Sequence, residues 1–495
     1  MMSRPTLLPL VLSLLAASAG ARAGTPTDPN GSAGPPAPAA PTPSVPTGQG
    51  APAPAGTAAG IDPQASPLPG PDSDDPMLLG AQYTFILQHQ SALRAPYSGP
   101  LSLEPGGDTQ PTNTIGLYGG WAPAAWAQLY LDIEKFMGAG VSQATGLGAP
   151  TNGDVVREGA AGVRKVVYIA RLYARFMLPL GDQVVQIDRS QDHIPGNEAA
   201  NRLELKVGHM AVPDDFDENR YANSPRTQFL NWSLMNDTAW DYAADTRGYT
   251  DGVVVGYYSP AWSLKYGVYR MPEMANGEAL VNSLFVASGQ NLELTLSGLP
   301  TGTVLRLLGY LNTADMGTYD EALALAAADH GVPDIIATRQ QGTRKYGFGV
   351  NVEQPLADNG DTGAFLRAGW NPGQHESFAF TEVDNQISGG VQVSGQEWNQ
   401  PDGQVGVGLV SEGLSVPHRE YLAAGGCGFM LCDGALSYGR EQIVEAYYRL
   451  QRIWPEDPGP VRWDLGPDFQ FIRNPGFNRA RGPVSFWGVR LHVEY

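Results

Sequence analysis

Charge is scarce in this chain. Asp, Glu, Lys and Arg make up 16% of its 495 residues, against roughly 25% in an average soluble domain. Long apolar runs are scarcer still. Beyond the first 23 residues no stretch approaches the ~18 uninterrupted apolar residues of a spanning helix. That excludes a helical membrane protein, and a mean hydropathy of −0.22 agrees. Cysteine occurs only as Cys427 and Cys432. With no second cysteine pair and no nearby histidine couple the spacing offers no zinc site, and either a loop disulfide or two free thiols fits. The formal charge is −19, from 31 Lys and Arg against 50 Asp and Glu, which argues against a nucleic-acid partner. No G-x-S-x-G elbow, H-E-x-x-H or P-loop is present, so the sequence calls for no catalytic residue, no metal and no cofactor.

The start of the chain has the form of an export signal. Arg4 supplies a positive start, Thr6 to Gly20 an apolar core, and Ala21-Arg22-Ala23 a small-x-small cleavage site. At ~10–14 apolar residues the core is too short for a membrane anchor. Residues 24–76 are Pro, Ala, Gly, Thr and Ser with few large apolar side chains. They cannot bury a core and are expected to form a flexible, partly polyproline leader, with peptidoglycan contact as the alternative. The remaining stretch, 77–495, is expected to hold the folded domain.

What is abundant there is alternation. The chain ends Pro483–Tyr495 as PVSFWGVRLHVEY. Val489, Leu491, Val493 and Tyr495 share one face of an extended strand, and Arg490, His492 and Glu494 share the other. Such a strand suits a wall between lipid and water, and an aromatic last residue suits a closing strand. About sixteen similar segments precede or include it, separated by Gly, Pro, Asn and Asp. Between Trp126 and Lys135, Ala127, Leu129, Leu131 and Ile133 oppose Gln128, Tyr130, Asp132 and Glu134. In Val167–Met177, Arg171, Tyr173 and Arg175 oppose Tyr168, Ala170, Leu172, Ala174 and Phe176. Arg306 opposes Leu305 and Leu307, and Arg367 opposes Leu366. An arginine facing lipid near the midplane costs ~2–4 kcal/mol, so Glu134, Arg171, Arg175, Arg306 and Arg367 are expected to face a lumen. Guanidinium and carboxylate forks there would offer donors and acceptors to sugar hydroxyls, or simply pair with one another. The fold expected is all-β: a transmembrane antiparallel up-and-down barrel of about sixteen strands. Thr318 to His330, between Gly317 and Gly331, is the one clear helix, placed in a loop or turn. Asp214, Asp215, Asp217 and Glu218 read most simply as a solvated acidic loop, with Ca²⁺ binding as the alternative.

Several long stretches carry a family likeness. They are Phe216–Thr250 (FDENRYANSPRTQFLNWSLMNDTAWDYAADTRGYT), Trp398–Gly426, Tyr438–Gln451 and Asp468–Tyr495, with QATGLGAPTNGDVVRE near Gln143–Glu158. The chain from about Gln82 to Tyr495 resembles the carbohydrate-selective, OprB-type porins of bacterial outer membranes. The resemblance implies a sixteen-stranded barrel whose lumen is constricted by arginines, a few acidic residues and aromatics. In Phe216–Thr250 the matching positions are Arg226, Trp232, Trp240, Asp241 and Arg247. It further implies passive diffusion of small sugars such as glucose, ion conduction, contact with outer-membrane lipid and lipopolysaccharide, and insertion by the barrel assembly machinery. The chain departs from the family in its long leader and in AAGGCGFMLCDG, which replaces a usually cysteine-free glycine loop. The other classes weighed are a barrel-borne hydrolase, for which no convincing residue set is found, and a secreted sugar-binding β protein.

Overall fold

The computed structural model describes residues 76–156, 163, 166–454 and 461–495. The export signal expected over 1–23, and all but the last residue of the leader, lie outside the described residues. The strands are β1 (Met77–Gln90), β2 (Asp108–Ala124), β3 (Ala127–Met137), β4 (Tyr168–Pro179), β5 (Val184–Ile187), β6 (Gly196–Ala199), β7 (Arg202–Met210), β8 (Thr250–Tyr258) and β9 (Trp262–Arg270). They continue with β10 (Ser288–Leu296), β11 (Val304–Met316), β12 (Gln340–Ala357), β13 (Thr362–Trp370), β14 (Asn385–Ser394), β15 (Gly403–Gly413), β16 (Glu441–Trp454), β17 (Val461–Arg473) and β18 (Val484–Glu494). All but β5 and β6 join into one closed antiparallel barrel of sixteen strands. Closure is made by β1 and β18, in register from Gln82 opposite Glu494 to Gln90 opposite Phe486.

Closure leaves no strand edge unpaired, which a lipid environment demands. The wall is apolar outside and polar inside. On β18, Trp487 and Val489 are exposed while Arg490, His492 and Glu494 are buried. Leu117, Leu131, Leu264, Leu307 and Leu366 continue the outer belt. Aromatic pairs mark both of its borders: Trp126–Phe176 and Tyr257–Trp262 near the rim that carries Met77 and Tyr495, and Phe348–Trp370 and Phe469–Trp487 near the other. Most connections at the first rim are short (125–126, 259–261, 297–303, 358–361, 395–402). The opposite rim carries 91–107, the described residues 138–156 of the β3–β4 connection, 211–249, 271–287, 317–339, 371–384, 414–440 and 474–483. Among the described residues three α-helices lie in these longer loops: α1 (Trp232–Met235), α2 (Tyr319–Asp329) and α3 (Val416–Ala423). The expected helix is α2, with Thr318 as its N-cap and His330 as a left-handed C-cap.

Three features differ from expectation. The first is the parity of β4. Asp132 pairs with Arg171 and Ile133 with Ile169, leaving Ala170 as an extra residue. This bulge turns Tyr168 and Ala170 to the same side as Arg171, and Ile169 is 48% exposed while Ala170 is fully buried. The second is β2. Its inward residues Thr112, Thr114 and Gly116 and its outward Gly119 are all small, which flattens the contrast that alternation needs. The third is the β5–β6 hairpin at the otherwise short-turned rim, paired from Val184–Ala199 to Ile187–Gly196.

Candidate channel constriction

Residues 211–249 connect β7 to β8 through the inside of the barrel, and nearly all of them are buried. Wall glycines make room for them. A β-carbon on Gly408 would sit 2.6 Å from Leu234, on Gly349 2.7 Å from the Asp237 carboxylate and on Gly289 2.8 Å from the Ala243 methyl. On Gly369 it would overlap the Asp237 carboxylate, and on Gly363 the Tyr221 ring. Removing the side chain at these positions on β10, β12, β13 and β15 is what lets irregular backbone approach the wall closely. Aromatic packing fills the rest. Trp232 stacks on Phe380 at 4.9 Å, Trp240 contacts Tyr242 at 4.9 Å, and Phe229 meets Tyr447 edge-on at 5.0 Å.

Buried irregular backbone also needs hydrogen-bond partners, and the wall arginines supply them. Arg367 donates to the carbonyls of Ala222 and Leu234, each at 2.7 Å, and to the carbonyl and carboxylate of Asp217 at 3.0 and 3.1 Å. Arg171 holds Asp214 through two bonds of 2.7 Å, with Asp132 at 3.4 Å. The segment's own Arg226 reaches back to the wall. It donates to Asp154 at 2.8 Å, and its other nitrogens lie 3.4 Å from Glu134 and 3.3 Å from the Tyr118 hydroxyl. Glu134 accepts from the Tyr249 hydroxyl at 2.5 Å. Asp241 accepts from the Phe378 and Ala379 amides at 3.0 and 2.9 Å and pairs with Lys345 at 3.0 Å. Trp240 donates to Asn291 at 2.8 Å.

The ten expected residues lie at inward wall positions or in the inserted segment, all but Arg247 buried, and they do not form one cluster. Glu134 and Arg226 meet directly. Arg171, Arg367 and Asp241 each join the inserted segment to a different partner. Arg306 pairs with Glu353 at 2.5 Å on the neighbouring strand. Arg175 pairs with Glu198 and Glu204, nearer the rim of β5 and β6. Arg247 pairs with Glu278 at 2.8 Å and lies 5.1 Å over the Tyr168 ring. The partners Asp154, Asp214, Asp217, Lys345 and Glu198 were missed, because contacts across a lumen leave no periodic trace in sequence.

The acidic stretch is not a solvated loop. Asp214, Asp217 and Glu218 are buried. Wall cations draw them in: Arg171 for Asp214, Lys206 for Asp215 at 3.0 Å, and Arg367 for Asp217. Among the described residues no group of His, Cys, Asp and Glu could hold a metal ion. Burial pushes Glu218 up to about 7. Burial, with the Asp217 charge second, pushes Asp237 up to about 8.

The outer loops are tied in a different way. Cys427 and Cys432 form a disulfide. Within the ring it closes, the amides of Phe429, Met430 and Leu431 donate to the Glu382 carboxylate at 2.9, 3.3 and 2.9 Å. Asp384 bonds the α3 residue His418 at 3.0 Å, and that ring lies 3.2 Å from the Tyr319 hydroxyl on α2.

A family profile described as "Carbohydrate-selective porin, OprB family" matches residues 120–495. Among solved structures, the high-pH structure of Pseudomonas putida OprB aligns at a TM-score of 0.62 and 15% identity, over 85% of this chain and 95% of that one. The low-pH structure of the same protein aligns at 0.42 and 13%, over 85% and 93%. The outer membrane channel DcaP of Acinetobacter baumannii aligns at 0.45 and 10%, over 85% and 97%. A search of curated proteins finds no match. At such low identity the first structural likeness is one of fold.

Proposed function

Because the chain belongs to the carbohydrate-selective porin, OprB family, we propose that residues 211–249 and the wall groups that hold them form the filter through which mono- and small oligosaccharides, glucose among them, diffuse down their gradients. The protein is an integral channel of the bacterial outer membrane and not an enzyme. The observation that carries the reading is the inserted segment itself, pinned by Arg171, Arg367 and Lys345 and answering with Arg226. Where wall and segment charges pair, as Arg171 with Asp214 and Arg367 with Asp217, they give an ion little net field to follow, while a neutral polyol can exchange hydrogen bonds with forks and hydroxyls at several points. Weak contacts at many points favour entry without blocking exit. Glu134, Arg171, Arg175, Arg226, Trp232, Trp240, Asp241, Arg247, Arg306 and Arg367 remain the proposed residue set of the filter, Trp232 and Trp240 serving it by packing the segment against Phe380 and Tyr242.

In this reading residues 1–23 are removed on export, 24–76 trail as a leader and 77–495 are the porin domain. The outer belt meets phospholipid and lipopolysaccharide, and the barrel assembly machinery inserts it. The decisive experiment is entry of glucose into liposomes, together with planar-bilayer conductance titrated with a panel of sugars. Sugar should reduce the ion current, and Arg247→Ala should weaken that block. A protein that stays soluble without detergent, or that admits no sugar, defeats the reading.

A further inference from the structure

At the rim of Met77 and Tyr495 one described connection stands apart. Residues 180–201 carry β5 and β6, whereas 125–126, 259–261, 297–303 and 358–361 only turn the chain. This insert packs on the lumenal face of the wall. Ile194 is buried against Leu78 and Tyr130, both inward-facing. The wall has glycines where the insert approaches: a β-carbon on Gly120 would lie 3.0 Å from Ile194, and one on Gly80 2.5 Å from the Gln191 carbonyl. Gln191 and Asp192 are also buried.

Besides Arg189, which donates to the Leu79 carbonyl on β1 at 2.7 Å, the insert brings one carboxylate into an ion-pair ring on the wall. Glu198 on β6 accepts from Arg175 at 2.5 and 2.9 Å and lies 3.2 Å from Arg202. Glu204 on β7 takes the other edge of Arg175 at 2.8 and 2.7 Å and also lies 3.2 Å from Arg202. Two guanidiniums and two carboxylates thus close a ring drawn from β4, β6 and β7. It is packed almost as closely as the Arg367 anchor, whose side chain is 0% exposed: Arg175, Glu198 and Arg202 are each 5% exposed and Glu204 9%, while His193, 3.6 Å from Glu198, keeps 22% open. Arg175 stands four positions along β4 from Arg171, or about 13 Å nearer the rim at strand rise.

We propose that the insert 180–201 builds a second filter in series with the constriction, with the ring Arg175–Glu198–Arg202–Glu204 as its specificity-determining surface. This rests on the reading of the chain as a sugar channel. Neutral as a whole and internally paired, the ring presents no net charge to an ion, and its most open edge, Glu204 with His193 nearby, is what a hydroxyl meets. A second weak station near the exit suits conduction, which requires that no single site hold the solute.

The test uses the full-length protein in planar bilayers under a salt gradient. Glu198→Gln leaves the ring one positive charge in excess and should shift the reversal potential toward anions. Arg202→Gln leaves it one negative charge in excess and should shift it toward cations. Replacing 183–199 by a short Gly-Ser turn should raise conductance and weaken sugar block. Shifts of opposite sign in the two point variants support the proposal even if the shortened protein fails to insert. No shift, or shifts of the same sign, overturns it, as does unchanged conductance in an inserted shortened channel. Glucose entry by the wild-type protein is unaffected by that failure, so the loss of this proposal and the loss of the channel reading are distinguishable.

Discussion

Residues 211–249 run inside the barrel with no covalent closure, while 414–440, on the same rim, carry a disulfide and pack mainly against other loops. The first segment meets neighbours from many strands at once, so buried ion pairs and glycine clearances can fix it. Arg367 alone ties Asp217, Ala222 and Leu234 to β13. The second has fewer such neighbours. There a short ring, closed by Cys427 and Cys432, gathers three amides around the single carboxylate of Glu382. Where the wall surrounds a loop, non-covalent bonds can define it; where water surrounds it, lost chain entropy is offset by a cross-link.

The comparison can be broken most forcefully at Arg367. Arg367→Ala takes the paired cation from the buried Asp217 carboxylate, which keeps only the Asn351 amide and the Asp237 N–H, and the donor from two backbone carbonyls inside the barrel. Removing one partner of a buried ion pair costs about 3–5 kcal/mol, so thermal unfolding in detergent should fall markedly and the open-channel current should become noisy. A loss below about 1 kcal/mol would mean that packing, not ion pairing, holds the segment.

Next in size is a change that adds an atom. Gly369→Ala places a methyl group on the Asp237 carboxylate, and overpacking of this kind costs about 1–3 kcal/mol. Conductance should change with it, because the segment must shift into the lumen. Gly119→Ala is the control, since its β-carbon meets nothing nearer than 3.6 Å. Equal effects from the two substitutions would remove the argument that wall glycines are carved for the segment.

The disulfide should matter less, and only locally. For so short a ring the chain-entropy model gives about 2 kcal/mol. Cys427→Ser combined with Cys432→Ser should raise hydrogen exchange in 414–440 and around Glu382, leaving exchange in 211–249 and sugar block unchanged. If sugar block moves as well, the two loops are one mechanical unit and the contrast between them fails.

The same contrast explains what could be read from the sequence. The outward face was legible, because lipid tolerates few charges and strand geometry enforces a period of two: Leu307 and Leu366 point out, Arg306 and Arg367 point in. Parity broke at the Ala170 bulge, where one added residue reverses the facing of the residues on its far side; the register also shifts near Trp121, Ala314 and Pro355. The lumen was half legible. Arg171 and Arg367 were placed on the inner face by alternation, but their partners Asp214 and Asp217 lie in a segment with no period. Their acidity looked like a wish for water when it answered buried cations. The β5–β6 hairpin was missed because four-residue strands fall below any useful window.

The mildest way to probe the inserted segment is to remove one proton from it. Burial, with Asp217 beside it, holds the Asp237 carboxyl at about 8, while an unfolded aspartate titrates near ~3.9. Between those values the folded protein keeps a proton that the unfolded chain has lost, so stability falls as pH rises through the window and levels off above the folded value. From pH ~7 to ~9 the loss should be about 1 kcal/mol, because roughly one pH unit of proton binding remains to be given up. It should appear as faster amide exchange in 211–249, after correction for the intrinsic base catalysis of exchange, with no matching change in 414–440. Asp237→Asn abolishes the ionisation while keeping the size of the group, and should flatten the dependence. If Asp237→Asn retains the full pH response, the titrating group lies elsewhere in the lumen, and Glu218, held at about 7 by burial, is the next to replace.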